Sequence, residues 1–213
     1  MAQEEMQFRF MNSAMRVVAR DGLENTTTRK IADAAELSES HIFRMFEGKD
    51  NLLRQTFNRA EITLCDMVRA ALRSLQELEL DHDLSSRILF RRVWAFLLGQ
   101  PDLTCFYIRY YYSGFYASHA QTHLEVWNPL TEELEKHFPE EAHANIFTEH
   151  LLTLLVGSAS KVIQGVLPDT EATAEQIFHL AVLSFYKGEE EPRKYEEKGT
   201  DASGAGDVAI QEW

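Results

Sequence analysis

Cysteine is almost missing from this 213-residue chain, which has only Cys65 and Cys105. Two cysteines build no disulfide framework and these fit no metal-ligand spacing, so a reducing compartment and a cytoplasmic location are expected. Proline is scarce at 5 residues and glycine at 10, with several of the glycines crowded near the end. A β-sandwich needs more turn chemistry than that, so the chain reads as helix. The first residues, Met1-Ala2-Gln3-Glu4-Glu5, lack an apolar core, and no signal peptide is expected there. The longest apolar stretch, Leu151 to Leu167, is interrupted by Lys161 and Gln164 and is expected to fall short of a membrane span. No nucleophile elbow, P-loop or dinucleotide fingerprint occurs, and Gly204-Ala205-Gly206 has no helix after it, so neither catalysis nor a cofactor is expected. What the chain has in quantity is apolar and aromatic material, 45% and 11% of residues, which supplies a proper core and excludes global disorder.

Positive charge is also in deficit: 21 Lys and Arg stand against 34 Asp and Glu, for a net charge of −13. The deficit is uneven. Residues 1–60 carry 9 basic and 9 acidic side chains, whereas residues 61–213 carry 12 and 25. A neutral segment can present one basic face to phosphate while an acidic body limits non-specific adhesion, so the overall sign does not exclude a nucleic-acid partner.

Apolar spacing predicts helices throughout. Phe8, Met11, Met15 and Val18 form one face of a first helix, with Arg9, Arg16 and Arg20 on another and Asp21-Gly22 as its stop. A short helix follows over Arg29–Ala35 with Thr27 as its N-cap. Glu36-Leu37 then makes a turn, Ser38 caps, and a third helix spans Glu39–Phe46. Two short helices joined this closely form a helix-turn-helix pattern. Gly48 ends it, and a long helix opens at Lys49 with Leu53, Phe57, Ala60, Leu64, Met67, Ala71, Leu75 and Leu78 at steps of three and four. At about 30 residues that helix is a rod of roughly 45 Å. Further helices are expected near 84–99, 102–118, 122–138, 141–166 and 171–187, punctuated by Pro101, Pro129, Pro139 and Pro168. From residue 189 the composition turns acidic and small, as in a flexible tail.

The run from Thr27-Thr28-Arg29-Lys30-Ile31-Ala32-Asp33-Ala34-Ala35 through Ser38-Glu39-Ser40-His41-Ile42-Phe43-Arg44-Met45-Phe46 to Gly48-Lys49-Asp50-Asn51-Leu52-Leu53 resembles the DNA-binding domain of tetracycline-repressor (TetR) family regulators. The resemblance extends from about Phe8 to Leu53. It implies an all-α chain, with a three-helix DNA-binding domain at 1–48, a larger helical effector-binding and dimerisation domain at 49–188, and a tail at 189–213. It also implies a homodimer on a palindromic duplex operator, released by a small molecule, and repression more readily than activation. On the residues themselves, Ile31, Ala32 and Ala35 suit a close helix crossing, and Leu37, Ile42 and Phe46 point inward. Ser38, Ser40, His41 and Arg44 then face a major groove. By resemblance, Thr28, Arg29, Phe43 and Lys49 fall at backbone contacts, and the candidate DNA-contacting set is completed by Thr27 and Glu39. The chain departs from the family pattern at three places. Glu36 stands where glycine is usual and predicts a strained turn. Phe43 replaces a tyrosine and offers no hydroxyl. Glu39 is either a helix-start charge or an acceptor for a cytosine amino group. These departures and the acidic balance leave a second reading, a helical ligand- or protein-binding module whose DNA-reading surface has decayed.

The body is rich in aromatics. Trp94, Phe106, Tyr107, Tyr110, Tyr111, Phe115 and Trp127 are candidates for lining a pocket for an apolar or aromatic effector, or for an ordinary aromatic core. Near the end, Leu155, Ser158, Val162, Leu180 and Ser184 sit on apolar faces with small neighbours and are candidates for a dimer surface. His119 and His123, at i,i+4 spacing, share one helical face, but no third ligand lies near in sequence and no metal is expected.

Overall fold

The computed structural model describes residues 2–76, 78, 80–134 and 144–183. Among them the chain forms nine α-helices, one 3-10 turn and no strand. The helices are α1 (Ala2–Asp21), α2 (Thr28–Ala35), α3 (Ser40–Phe46), α4 (Lys49–Gln76), α5 (His82–Gly99), α6 (Pro101–Tyr111), α7 (Ala120–Leu134), α8 (Ala144–Ile163) and α9 (Glu171–Leu183), with the 3-10 turn at Tyr116–Ser118 before α7.

In the first unit α1 packs on both α2 and α4. Its buried stripe is Phe10, Ala14, Val17 and Val18, with Met15 beside it. This differs from the face expected at one point: Phe8 is half exposed, and the Arg59 guanidinium lies 4.2 Å over its ring. The Phe10 ring meets Phe46 of α3 edge-on at 6.2 Å. Ile31, Ala32, Ala35, Ile42 and Phe46 are buried as expected, so the two short helices are held by the apolar sides of their own sequences.

The long rod forms, but over 28 residues, and its outer end departs from the pattern: Leu78 is exposed and Met67 only partly buried. The helix expected over 102–118 stops at Tyr111, where the Ser113 hydroxyl bonds the Tyr110 carbonyl at 2.6 Å and a turn intervenes. Pro129 does not break a helix but lies inside α7, whose buried Trp127 and Leu130 and the Thr131–Thr148 bond hold that helix to its neighbours. Contrary to expectation, α8 is long and apolar enough by length and composition to cross a membrane, although only a third of its apolar window is buried. It packs against α5, α6, α7 and α9 through Leu152, Val156, Ala159 and Val162. The tail at 189–213, with Ser184 and Pro139, lies outside the described residues.

Candidate functional site

Local chemistry shapes the outer face of the first unit. Thr27 is extended, and its hydroxyl accepts the Lys30 N–H at 3.2 Å, the expected N-cap of α2. Glu36 ends α2 in the left-handed region at φ 55°, a position that suits glycine, and its N–H reaches the carbonyls of Ala32 and Asp33. The Arg9 guanidinium crosses over to the Ala35 carbonyl at 2.7 Å and reinforces the turn. Ser38 does not cap α3 with its side chain. Its hydroxyl pairs with that of Ser40 at 2.9 Å, while its carbonyl accepts from His41 N–H. Glu39 occupies the cap position without a side-chain cap bond, and its carboxylate instead accepts the Thr28 hydroxyl at 2.5 Å, tying the first turn of α2 to that of α3.

Ser38, Ser40, Phe43 and Arg44 are exposed on one outward surface, with Phe43 at 54%. Arg29 is exposed as well. His41 is half-buried, and its Nδ1 has no hydrogen-bond partner among the described residues. Lys49 opens α4 and donates to the Thr26 carbonyl at 3.2 Å, which places its ammonium beside the α2 start. The arginines of α1 are engaged within the protein: Arg16 sits 3.7 Å from Asp102, and Arg20 bonds Asp21 at 2.6 Å. Arg20 and Lys30 together hold the Asp21 carboxyl well below the usual carboxylate range.

The body holds a second concentration of polar groups, and this one is sealed. Glu61 of α4 is fully buried, as are His119 and His123. His119 Nε2 lies 2.5 Å from one Glu61 oxygen, and His123 Nδ1 meets the other. His123 Nε2 reaches Glu149 of α8 at 2.5 Å, and the Tyr111 hydroxyl donates to the second Glu149 oxygen at 2.5 Å. The four side chains thus link α4, α6, α7 and α8 in one chain of hydrogen bonds. Burial alone would depress the His123 imidazolium, but the bonds to Glu149 and Glu61 overcome it and raise its pKa to about 9. Burial likewise disfavours the Glu149 carboxylate, yet the His123 and Tyr111 bonds hold its pKa below the ordinary value. Desolvation pushes Tyr107 well above the ordinary phenol range and Tyr110 up to about 12, so both stay neutral.

Of the aromatic candidates, Tyr107, Tyr110, Tyr111 and Trp127 border this network. Phe57 of α4 stacks on Tyr110 at 4.4 Å and touches Tyr107 at 4.8 Å, and Trp127 lies 6.2 Å from His123. Phe106 is fully buried beside Phe57, and Phe115 stacks on Tyr110. Trp94 is set apart, stacked on Phe90, whose other neighbour is Phe178. Sequence reasoning missed Glu61 and Glu149. The signal was present: Glu61 follows Leu53 and Phe57 at four-residue steps inside the apolar stripe of α4, where a carboxylate needs buried partners. The His119–His123 spacing supplied those partners, and the pair serves a carboxylate rather than a metal.

On the last two helices Leu155 and Ser158 are partly buried and Leu180 is 55% exposed. Val162, expected at a subunit surface, is buried in its own chain because the inner face of α8 carries it into the core.

Residues 10–56 match the family described as bacterial regulatory proteins, tetR family. Among solved structures, a TetR family transcription regulator from Marinobacter aquaeolei VT8 superposes with a TM-score of 0.64 at 20% identity, covering 87% of this chain and 98% of that one. A putative tetR family transcription regulator from Shewanella sp. PV-4 gives a TM-score of 0.69 at 16% identity over 84% and 97% of the two chains. A fatty acid degradation regulator from Bacillus halodurans gives 0.63 at 18% identity over 82% and 97%. A search of curated protein sequences finds no match. At these identities the structural likeness fixes the fold, and the family match fixes the nature of the N-terminal unit.

Proposed function

From a chain whose residues 10–56 are a tetR-family DNA-binding domain on an all-helical fold, we propose a ligand-responsive transcriptional regulator, a repressor by function, that binds a palindromic duplex operator as a cytoplasmic homodimer. The observation that carries this reading is the outward surface of α3. There Ser40, Phe43 and Arg44 stand clear of the protein while Ile42 and Phe46 anchor the same short helix to the core. Ser38, Ser40, His41 and Arg44 address base edges. Thr27, Thr28, Arg29 and Lys49 address the flanking phosphates, and the Phe43 ring packs on the sugar-phosphate wall. Glu39 positions Thr28 and joins the reading surface as an acceptor.

A second copy is seated on α8 and α9. Ile146, Val166 and Leu180 are exposed apolar side chains on or beside these helices, and Leu155 and Ser158 lie between them. Two-fold pairing there sets the reading helices one duplex turn, about 34–36 Å, or a multiple of it apart. The effector acts in the body and is felt at the DNA by two routes. One is α4, which carries Glu61 at its middle and Lys49 at its start. The other is α6, whose Arg109 donates to the Val18 carbonyl of α1 at 2.6 Å. A ligand that prefers the arrangement unsuited to DNA shifts the population toward it, with reciprocal loss of affinity.

Selection from a random duplex library at low salt tests the reading. The expected outcome is an inverted-repeat consensus and light-scattering mass of a dimer. A pool with no consensus favours instead a helical binding module that has lost DNA reading, for which the Thr28–Glu39 bond, closing a phosphate donor onto a carboxylate, is the specific support.

A further inference from the structure

Three buried polar atoms near Glu61 have no hydrogen-bond partner among the described residues: the Tyr107 hydroxyl, the Trp127 indole nitrogen and His119 Nδ1. Their side chains are 1%, 5% and 1% exposed, so bulk solvent does not reach them. They share one neighbourhood. The Phe57 ring lies 4.8 Å from Tyr107 and 5.0 Å from His119, Trp127 is 6.2 Å from His123, and both histidines hold Glu61. Buried polar groups in folded proteins are overwhelmingly paired, so three orphans around one point mark the place of an oxygen-bearing molecule.

The chemistry of each orphan restricts that molecule. The Trp127 N–H only donates, so it needs an acceptor. His119 uses its Nε2 proton on Glu61, which leaves Nδ1 as an acceptor in need of a donor. The Tyr107 hydroxyl serves in either sense. A single hydroxyl group, which accepts and donates, answers all three. Charge restricts it further. Glu61 and Glu149 flank the position, and the imidazolium of His123 is already shared between them. A ligand carboxylate would face two carboxylates with no free cation, and a ligand ammonium would meet the indole donor head-on. The surrounding surface is aromatic, with the Phe57, Tyr110 and Tyr116 rings packed around one another.

We propose that this cluster is the binding site of an uncharged, hydroxyl-bearing aromatic compound, a phenol, with its hydroxyl among Trp127, His119 and Tyr107 and its ring against Phe57 and the neighbouring tyrosines. The regulatory meaning of this site rests on the effector reading above, whereas its ligand class rests on the orphaned atoms alone. Calorimetric titration of the full chain with 4-ethylphenol, ethylbenzene, 4-ethylbenzoate and 4-ethylbenzylamine tests it. 4-Ethylphenol is expected to bind at least about tenfold more tightly than ethylbenzene, with no measurable binding of either charged member. Trp127→Phe removes the N–H and Tyr107→Phe the hydroxyl, and each lowers the phenol-to-ethylbenzene ratio by about fivefold or more. Should Trp127→Phe not fold, Tyr107→Phe and the ligand series on the unaltered chain decide. Equal binding of phenol and ethylbenzene, preference for a charged member, or an unchanged ratio in the folded variants overturns the assignment. So does the absence of binding by all four compounds, since water alone then meets the three atoms. The effector reading fails separately: 4-ethylphenol that binds as expected but does not release selected operator DNA refutes release and leaves the site standing.

Discussion

The N-terminal unit keeps its distinctive polar groups on the outside, where Ser40, Arg44 and Arg29 meet solvent, while the body closes Glu61, His119 and His123 away from it. The first arrangement tolerates change, because each exposed side chain acts nearly alone and water substitutes for any lost partner. The second does not, because every member of the buried chain of bonds completes another's valence and no solvent stands in. Interaction with a polyanion needs the first kind of surface. Recognition of a small neutral molecule, and coupling between helices, need the second.

The sharpest way to break this contrast is Glu61→Ala. It strips both histidines of their acceptor inside the core and is expected to lower unfolding free energy by about 3–5 kcal/mol in urea denaturation. A loss below about 1 kcal/mol would place the network among solvent-like surface pairs instead. Next in size is the response to pH. The pKa of His123 is raised from 6.5 to about 9 in the folded chain, so its contribution is fully present below about pH 6.5 and disappears as pH rises through 9. Urea midpoints should therefore fall over that window by the equivalent of about 2 kcal/mol. His123→Gln should flatten the profile, and an equally steep profile in that variant would assign the effect elsewhere.

On the outer surface the effects are smaller and show in DNA binding rather than stability. Arg44→Ala should relax preference at one base position, costing about 1–3 kcal/mol there in quantitative gel shifts, whereas Lys49→Ala should weaken all sequences alike and reduce the log–log salt slope by about 0.9. Interchanged behaviour would reverse the two roles. Smallest is Glu36→Gly, which relieves the left-handed turn and should stabilise the unit by up to about 1 kcal/mol in thermal unfolding. No gain would mean that Arg9, bonded to the adjacent Ala35 carbonyl, already compensates the turn.

The same contrast explains what the amino-acid order disclosed. The first unit was legible because its determinants are local: Thr27 caps the helix it begins, Glu36 sits in the turn it shapes, and Ile42 and Phe46 recur at helical spacing. Errors there were confined to side chains with a choice of partner, such as Ser38, which turned to Ser40. Helices of the body were legible for the same reason, from apolar periodicity. Its polar network was not, because Glu61 and His119 are 58 positions apart and only the packing of α4 against α7 brings them together. Pro129 misled because proline reports a missing donor, while neighbouring helices determine whether the helix survives the loss.

Phe57 stands one position beyond the segment matched to the tetR family, and its ring is clasped by Phe106, Tyr107 and Tyr110 of α6. With Arg109 reaching the last turns of α1 from the same helix, the DNA-reading head is finished by atoms contributed some fifty to ninety positions downstream. Such a head is not portable. Excised at residue 56 and grafted to a foreign partner, it would arrive with an unsupported seam along α1 and α4, so chimeric regulators made from this chain should carry α6 along with the head.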